Sequence, residues 1–272
     1  MNPSVSLITS KDNPVLQKLR KLAADPGAYR KLGQLWLEGD HLLSAALERG
    51  QAVGTVLVAQ SAWTGGEGGA APDDLQAARL SVMARQGERV LVVADALWKQ
   101  FTSLESPARI GALLEAPGPG VGVRAGVATV VLDRLQDAGN VGTILRSASA
   151  LGVRQVVALK GTAALWSPKV LRAGMGAHWG LNLVEQVGVD DLDRLGVPLV
   201  ATSSHADHEL PVAPLPSPCA WVMGHEGQGV SAEVLSRCAM TVGIPQPGGE
   251  ESLNVSVAAA ICMYESLRRL HT

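Results

Sequence analysis

An asparagine and an arginine stand where a buried apolar run gives way to a helix-like one. In DAGNVGTILR, Asp137 to Arg146, the residues Asn140 and Arg146 follow the apolar Val130, Val131 and Leu132. With a helix beginning near Asn140 or Val141, Asn140 lies at its mouth and Arg146 about two turns on. The pair then frames one end of a pocket lined by backbone N–H groups. The same residue types also serve plain turn and cap chemistry, since Asp and Asn cap helices and glycine accepts backbone angles closed to other residues. On this segment alone both readings stand. Two further segments, GHEGQGVS (Gly224–Ser231) and IPQPGGEESLNVSVAAA (Ile244–Ala260), also place glycines and polar groups after apolar runs. The first equally fits a glycine turn before a helix capped by Ser231, and the second an ordinary loop before a helix from about Leu253.

Several familiar chemistries are excluded. Gly224, Gly227 and Gly229 do not give the G-x-G-x-x-G order, and no Walker lysine follows a glycine-rich loop. A nicotinamide-type oxidoreductase therefore lacks its phosphate fingerprint. No G-x-S-x-G nucleophile elbow is present. His205 and His208 in SSHADHEL have no third donor nearby, so no metal site is expected. Cys219, Cys238 and Cys262 are widely spaced, which supports neither a zinc ribbon nor a disulfide framework and reads as reduced, buried or nearly buried thiols.

The elements that must position these residues follow from periodicity. Val15, Leu16, Leu19 and Leu22 recur at helical spacing before the stop signal Asp25-Pro26-Gly27, giving an amphipathic helix with a basic outer face. LWLEGDHLLSAALERG reads as a short strand, a turn at Gly39 and a helix ending before Gly50. VGTVLVA, RVLVVAD and ARIGALLEA are predicted strands, with a short helix around Leu75 to Leu80 and a helical DALWKQFTSLESP up to Pro107. Alternating strands and helices predict a small α/β domain. The composition break APGPGVGVRAG, Ala116 to Gly126, marks a boundary. Beyond it VATVVLD, VRQVVALK, VPLVATS, CAWVMG and MTVGIP are apolar on both faces, which predicts a covered parallel sheet. In such sheets ligands gather at the C-terminal ends of the strands, where the three polar segments lie.

The 272 residues are 47% hydrophobic and 18% charged, enough for two domains with normal cores. No apolar run is long enough to cross a bilayer and the N-terminus lacks a signal-peptide pattern, so a cytoplasmic, membrane-free protein is expected. A net charge of −2 argues against bulk coating of nucleic acid. Locally, Lys11, Lys18, Arg20, Lys21, Arg30 and Lys31 against Asp12 and Asp25 make a basic island. By charge alone that island is a solvated helix face or a phosphate-binding surface.

Taken together and in order, the three polar segments resemble the motifs of the SpoU (TrmH) branch of the SPOUT superfamily of RNA methyltransferases. Asn140-Val141-Gly142 with Arg146 is similar to the first motif, and Gly224 to Glu226 with Gly227 to Gly229 to the second. Ile244-Pro245 with Ser252-Leu253-Asn254-Val255-Ser256 is similar to the third. RKLGQLWLEGDHLLSAAL, Arg30 to Leu47, is similar to the RNA-binding domain of many members, so the resemblance covers nearly the whole chain. His225 departs from the Asn or Ser often found there, and Gln246 to Glu251 form an unusually acidic loop.

The resemblance implies an α/β protein in two parts. These are a smaller N-terminal RNA-binding domain (1–115), a linker (116–126), and a trefoil-knotted parallel-sheet methyltransferase domain (127–272), usually dimeric through the latter. It implies transfer of a methyl group from S-adenosyl-L-methionine to a ribose 2′-hydroxyl in structured RNA, 23S rRNA first and tRNA as the alternative target. A catalytically silent RNA-binding or ribosome-assembly protein on the same fold is the alternative reading. Arg146, Asn140, Glu226, Ser252 and Asn254 are the implied catalytic group. Arg146, too basic to serve as a general base, holds the phosphate or ribose and stabilises the 2′-oxygen. Glu226 pairs with Arg146, within the chain or across a dimer interface, or complements the positive sulfonium. Gly224, Gly229, Ile244 and Leu253, with Thr202, are the implied cofactor contacts, and Lys11, Lys18, Arg20, Arg30 and Lys31 the RNA contacts. Aromatic residues at 3% point away from base-stacking platforms and toward a folded RNA shape.

Overall fold

The computed structural model describes residues 3–64, 74–102, 104, 106–118, 122–203, 206, 208–249 and 252–271. Residues 65–73, together with His205, Glu250 and Glu251, lie outside the described residues. The chain divides into two compact units, 1–118 with 166–172, and 119–165 with 173–272.

The first unit is an α/β domain around a mixed sheet. Its elements are β1 (Ser4–Ile8), α1 (Pro14–Ala24), α2 (Ala28–Leu32), β2 (Gln34–Glu38), α3 (Asp40–Glu48), β3 (Thr55–Ala59), α4 (Leu75–Ala84), β4 (Arg89–Val93), α5 (Asp95–Trp98) and β5 (Ile110–Glu115). The sheet order is β1-β4-β3-β5-β2. β1 and β3 run parallel to β4, while β5 is antiparallel to both β2 and β3. α1 starts where the Asn13 side chain accepts the Val15 N–H at 2.9 Å, and it buries Leu16, Leu19 and Leu22 as the spacing predicts.

One prediction fails here, and one strand was not foreseen. The helix expected up to Pro107 stops at Trp98, because Trp98 and Phe101 turn inward to meet in an edge-on ring contact at 5.1 Å, with Phe101 also 5.8 Å from Trp36. Burying three rings in one cluster outweighs continuing a helix. β1 is a strand the sequence reading did not foresee: it is short and lies at a sheet edge, with Val5 and Leu7 exposed and only Ile8 buried.

The second unit holds β6 (Thr129–Leu132), α6 (Ala138–Ala150), β7 (Gln155–Leu159), β8 (Asn182–Val187), β9 (Leu199–Thr202), β10 (His208–Glu209), β11 (Ala220–Met223), α8 (Ala232–Leu235), β12 (Met240–Gly243) and α9 (Val255–Leu270). α7 (Pro168–Gly174) belongs mostly to the first grouping. All pairings in the sheet β10-β12-β9-β11-β6-β7-β8 are parallel. β6, β7 and β11 are buried throughout, as strands covered on both faces must be. β8 and β10 add to the five predicted strands. β8 is concealed in the sequence by Glu185 and by Gln186, which takes a left-handed φ of 58°.

The sheet changes direction at β6. The chain runs outward through β7 and β8, then returns to β9, and β11 inserts between β9 and β6. α9 comes back to pack against α6 and β11. The polar segments consequently share one edge, the C-terminal ends of adjacent strands. At the opposite edge the side chain of Gln155 bonds both backbone groups of Arg124, so the end of the predicted linker is held on this unit. No described helix is long and apolar enough to cross a membrane.

Candidate active site

α6 begins two residues earlier than expected. Asp137 is its N-cap, its side chain accepting the Asn140 N–H at 2.7 Å, so Asn140 sits inside the first turn. That frees the Asn140 amide to bridge. Its Nδ2 donates to Glu226 Oε1 at 3.3 Å, and its Oδ1 accepts from Asn254 Nδ2 at 3.0 Å. Asn254 in turn caps α9, its Oδ1 accepting the Ser256 N–H at 2.9 Å and the Ser256 hydroxyl at 2.6 Å. One chain of hydrogen bonds thus joins the three segments.

Glu226 is anchored further by the N–H groups of Asp137 (3.1 Å) and Gln136 (3.3 Å). Burial alone would push its carboxyl up. The donors from its own loop, Asp137, Gln136 and Asn140 outweigh that and hold it below the ordinary carboxylate range. Its partners are therefore the helix mouth, and not Arg146 of the same chain. Arg146 is exposed on α6 and takes no part in these bonds among the described residues. Ser252 is likewise exposed and outside the hydrogen-bond chain.

The expected cofactor contacts gather on neighbouring strands. Thr202 ends β9, Gly224 follows β11 and Ile244 follows β12. The strand order β12-β9-β11 places these three ends side by side, roughly 10 Å across at the usual strand spacing, a width that suits a nucleoside. The side chain of Leu253 is half-exposed beside Asn254. Gln246, after Ile244, has a buried Oε1 with no partner among the described residues. A buried acceptor left open at a sheet edge fits a ligand donor.

The glycines have an internal reason as well. A Cβ on Gly224 would lie 2.2 Å from both the Gly229 carbonyl carbon and Val230 N, so the loop folds on itself there. His225 and Gly229 close it with paired backbone bonds of 3.0 and 2.8 Å, and Gly229 takes a φ of 68°. Ser231 is the N-cap residue of α8, yet its side chain makes no cap bond. Sequence reasoning missed Asp133 and Arg134, which reach this loop from the end of β6; a lone acid after an apolar strand gives no signal of its own.

Cys238 lies near Asp133, and burial with that carboxylate pushes its thiol up to about 11. Burial pushes Cys219 up to about 11 and Cys262 to about 12. All three are free thiols held in the neutral form. His208 is exposed, and no metal-binding cluster occurs among the described residues.

In the first unit the basic residues divide. Lys18 donates to Gln34 Oε1 at 2.9 Å, and Arg20 donates to the Lys11 carbonyl at 2.7 Å and to Gln100. Arg30 stacks 5.0 Å from the Tyr29 ring centre. Lys11, Arg30 and Lys31 are exposed.

The SpoU rRNA Methylase family matches this chain over residues 128–264. An uncharacterized tRNA/rRNA methyltransferase of Synechocystis is 33% identical over 99% of this chain and 96% of that protein. The 23S rRNA (guanosine(2553)-2′-O)-methyltransferase RlmP of Bacillus subtilis is 30% identical over 86% of this chain and 88% of its own. Among solved structures, the SpoU methyltransferase AviRb from Streptomyces viridochromogenes, in complex with AdoMet, superposes with a TM-score of 0.82 at 25% identity. That match covers 96% of this chain and 99% of AviRb.

Proposed function

Because the chain belongs to the SpoU rRNA methylase family, we propose that it transfers a methyl group from S-adenosylmethionine to a ribose 2′-hydroxyl of ribosomal RNA, 23S rRNA being the target class. The observation that carries this is the Glu226–Asn140–Asn254 chain of hydrogen bonds, which binds all three segments into one polar site beside Arg146.

When bound, the cofactor supplies an electrophilic methyl group on a sulfonium. The residues present suit it: an open acceptor at Gln246, close-folded glycines at Gly224 and Gly229, and a carboxylate at Glu226 that stays anionic and complements positive charge. The ends of β9, β11 and β12, with Thr202, Gly224, Ile244 and Leu253, would hold the nucleoside part. Arg146, exposed and permanently charged, takes the RNA phosphate or ribose by bidentate hydrogen bonding. It would orient the 2′-oxygen toward the methyl group and stabilise the developing negative charge there as the proton passes to solvent water. Asn140 orients the site through its two bonds, and Ser252 and Asn254 add neutral hydrogen bonds at its rim.

The N-terminal domain, residues 1–115, is read as the RNA-binding domain, with Lys11, Lys18, Arg20, Arg30 and Lys31 as phosphate contacts. The second unit, whose relatives are SpoU methyltransferases, is read as the knotted methyltransferase domain. Val257 and Tyr264, 47% and 57% exposed on α9, support pairing of two copies through the second unit. With ribosomal RNA as substrate, the cytoplasm is the expected location. The test is Arg146→Ala. It should bind S-adenosylmethionine like the parent protein and transfer no methyl to RNA; full transfer would remove Arg146 from the mechanism.

A further inference from the structure

Asp133, directly after β6, is 1% exposed. Its Oδ2 accepts the Ser231 backbone N–H at 2.6 Å, and its Oδ1 accepts from Arg134 Nε at 3.1 Å. Arg134 extends this reach, its Nη1 donating to Gln228 Oε1 at 3.2 Å. The carboxylate therefore meets the Gly224–Ser231 loop directly at one end and through Arg134 in its middle. Glu226 attaches the same loop to the start of α6.

Two features show that this arrangement is enforced. A buried carboxylate is costly unless donors surround it, and here a backbone amide and a guanidinium do so. Arg134 holds a left-handed φ of 61°, which a side chain disfavours. It is kept there by its backbone N–H, which donates to Thr162 Oγ1 at 3.1 Å, while the Thr162 hydroxyl donates to the Leu132 carbonyl at 2.9 Å. Strain of this kind persists where surrounding contacts over-determine it, commonly beside a functional site.

We propose that Asp133 is a positioning residue for S-adenosylmethionine, holding the 224–231 loop in its binding shape before the cofactor arrives. The inference rests on the cofactor reading above. The His225–Gly229 closure sets the loop's internal shape, and Asp133 sets its place against β6. A loop already ordered in the free protein does not lose that freedom on binding, so affinity rises without a new cofactor contact.

The test compares Asp133→Asn and Asp133→Ala with the parent protein by three measurements. These are S-adenosylmethionine affinity by calorimetry, amide hydrogen exchange at Ser231 without cofactor, and thermal unfolding. Asparagine keeps the shape but presents an NH2 where one of the two accepting oxygens stood. Expected are about tenfold weaker binding in the asparagine variant, a loss the size of one hydrogen bond, and faster exchange at Ser231. Its turnover at saturating cofactor and RNA should stay near the parent value. Unchanged affinity with a lowered unfolding temperature would overturn the proposal, leaving Asp133 merely structural. Should the alanine variant fail to fold, the asparagine variant still decides. A parent protein that binds no S-adenosylmethionine would refute the cofactor reading itself, a result seen before any variant is made.

Discussion

Replacing Asn140 by alanine cuts the bridge between the three segments at its centre. Two hydrogen bonds disappear, to Glu226 at 3.3 Å and from Asn254 at 3.0 Å. Each is worth about 0.5–1.5 kcal/mol net, and both sit in a half-exposed setting where water competes, so the lower part of that range applies. The sum, about 1–2 kcal/mol, corresponds to roughly a five- to thirtyfold loss if it is expressed in the transition state. Asn254 keeps its cap on α9 through Ser256, and the Asp137 cap binds a backbone N–H that alanine retains. With both caps intact, unfolding temperature should fall by only about 2–4 °C for each kcal/mol lost, while kcat/KM for RNA falls by that factor, measured by transfer of labelled methyl at saturating cofactor. The Glu226 carboxyl, deprived of one donor, should titrate closer to its ordinary value. An Asn140→Ala protein with parental kcat/KM would refute the claim that the bridge organises the site.

Three further outcomes follow from the geometry. Gly224→Ala forces a Cβ against backbone atoms of Gly229 and Val230 at 2.2 Å; overpacking of this kind costs about 1–3 kcal/mol, so calorimetry should show weakened cofactor binding and melting should show lowered stability. His178 is fully buried, and that burial, only partly offset by its bond to the Leu165 carbonyl, lowers its pKa from 6.5 to about 4. The unfolded chain thus takes up a proton the folded one refuses, so stability is complete above pH 6.5, falls as pH drops toward 4, and His178→Gln should flatten that slope in denaturant titrations. Arg30→Glu with Lys31→Glu should weaken RNA binding and reduce the slope of log affinity against log salt by about 0.7–0.9 for each phosphate no longer neutralised; an unchanged slope would move the RNA surface elsewhere.

Periodicity made the buried strands legible, because β6, β7, β9, β11 and β12 are apolar runs ended by glycine or polar residues. The same reasoning placed the three polar segments at one sheet edge. It could not reveal which polar groups meet. Glu226 had Arg146 as an equally plausible partner by charge, whereas the folded chain gives it to two backbone amides and an asparagine. A local rule was also overridden at Trp98, where a ring cluster with Trp36 and Phe101 ends the helix, since side-chain spacing carries no record of a partner far back in the chain. β1 shows the converse: its Val5 and Leu7 face outward on an edge, and backbone pairing with β4, which leaves no mark in the sequence, holds it in place. Asp133 was invisible for a similar reason, its role depending on Ser231, far along the chain.

The most direct test of the account is to incubate the purified protein with labelled S-adenosylmethionine and total RNA from cells lacking its gene, then map methylated riboses by their resistance to alkaline cleavage. The account predicts label at a ribose 2′-oxygen of 23S rRNA, lost with Arg146→Ala. Label on a base, or no transfer to naked RNA or to ribosome-assembly intermediates despite measurable cofactor binding, would contradict it.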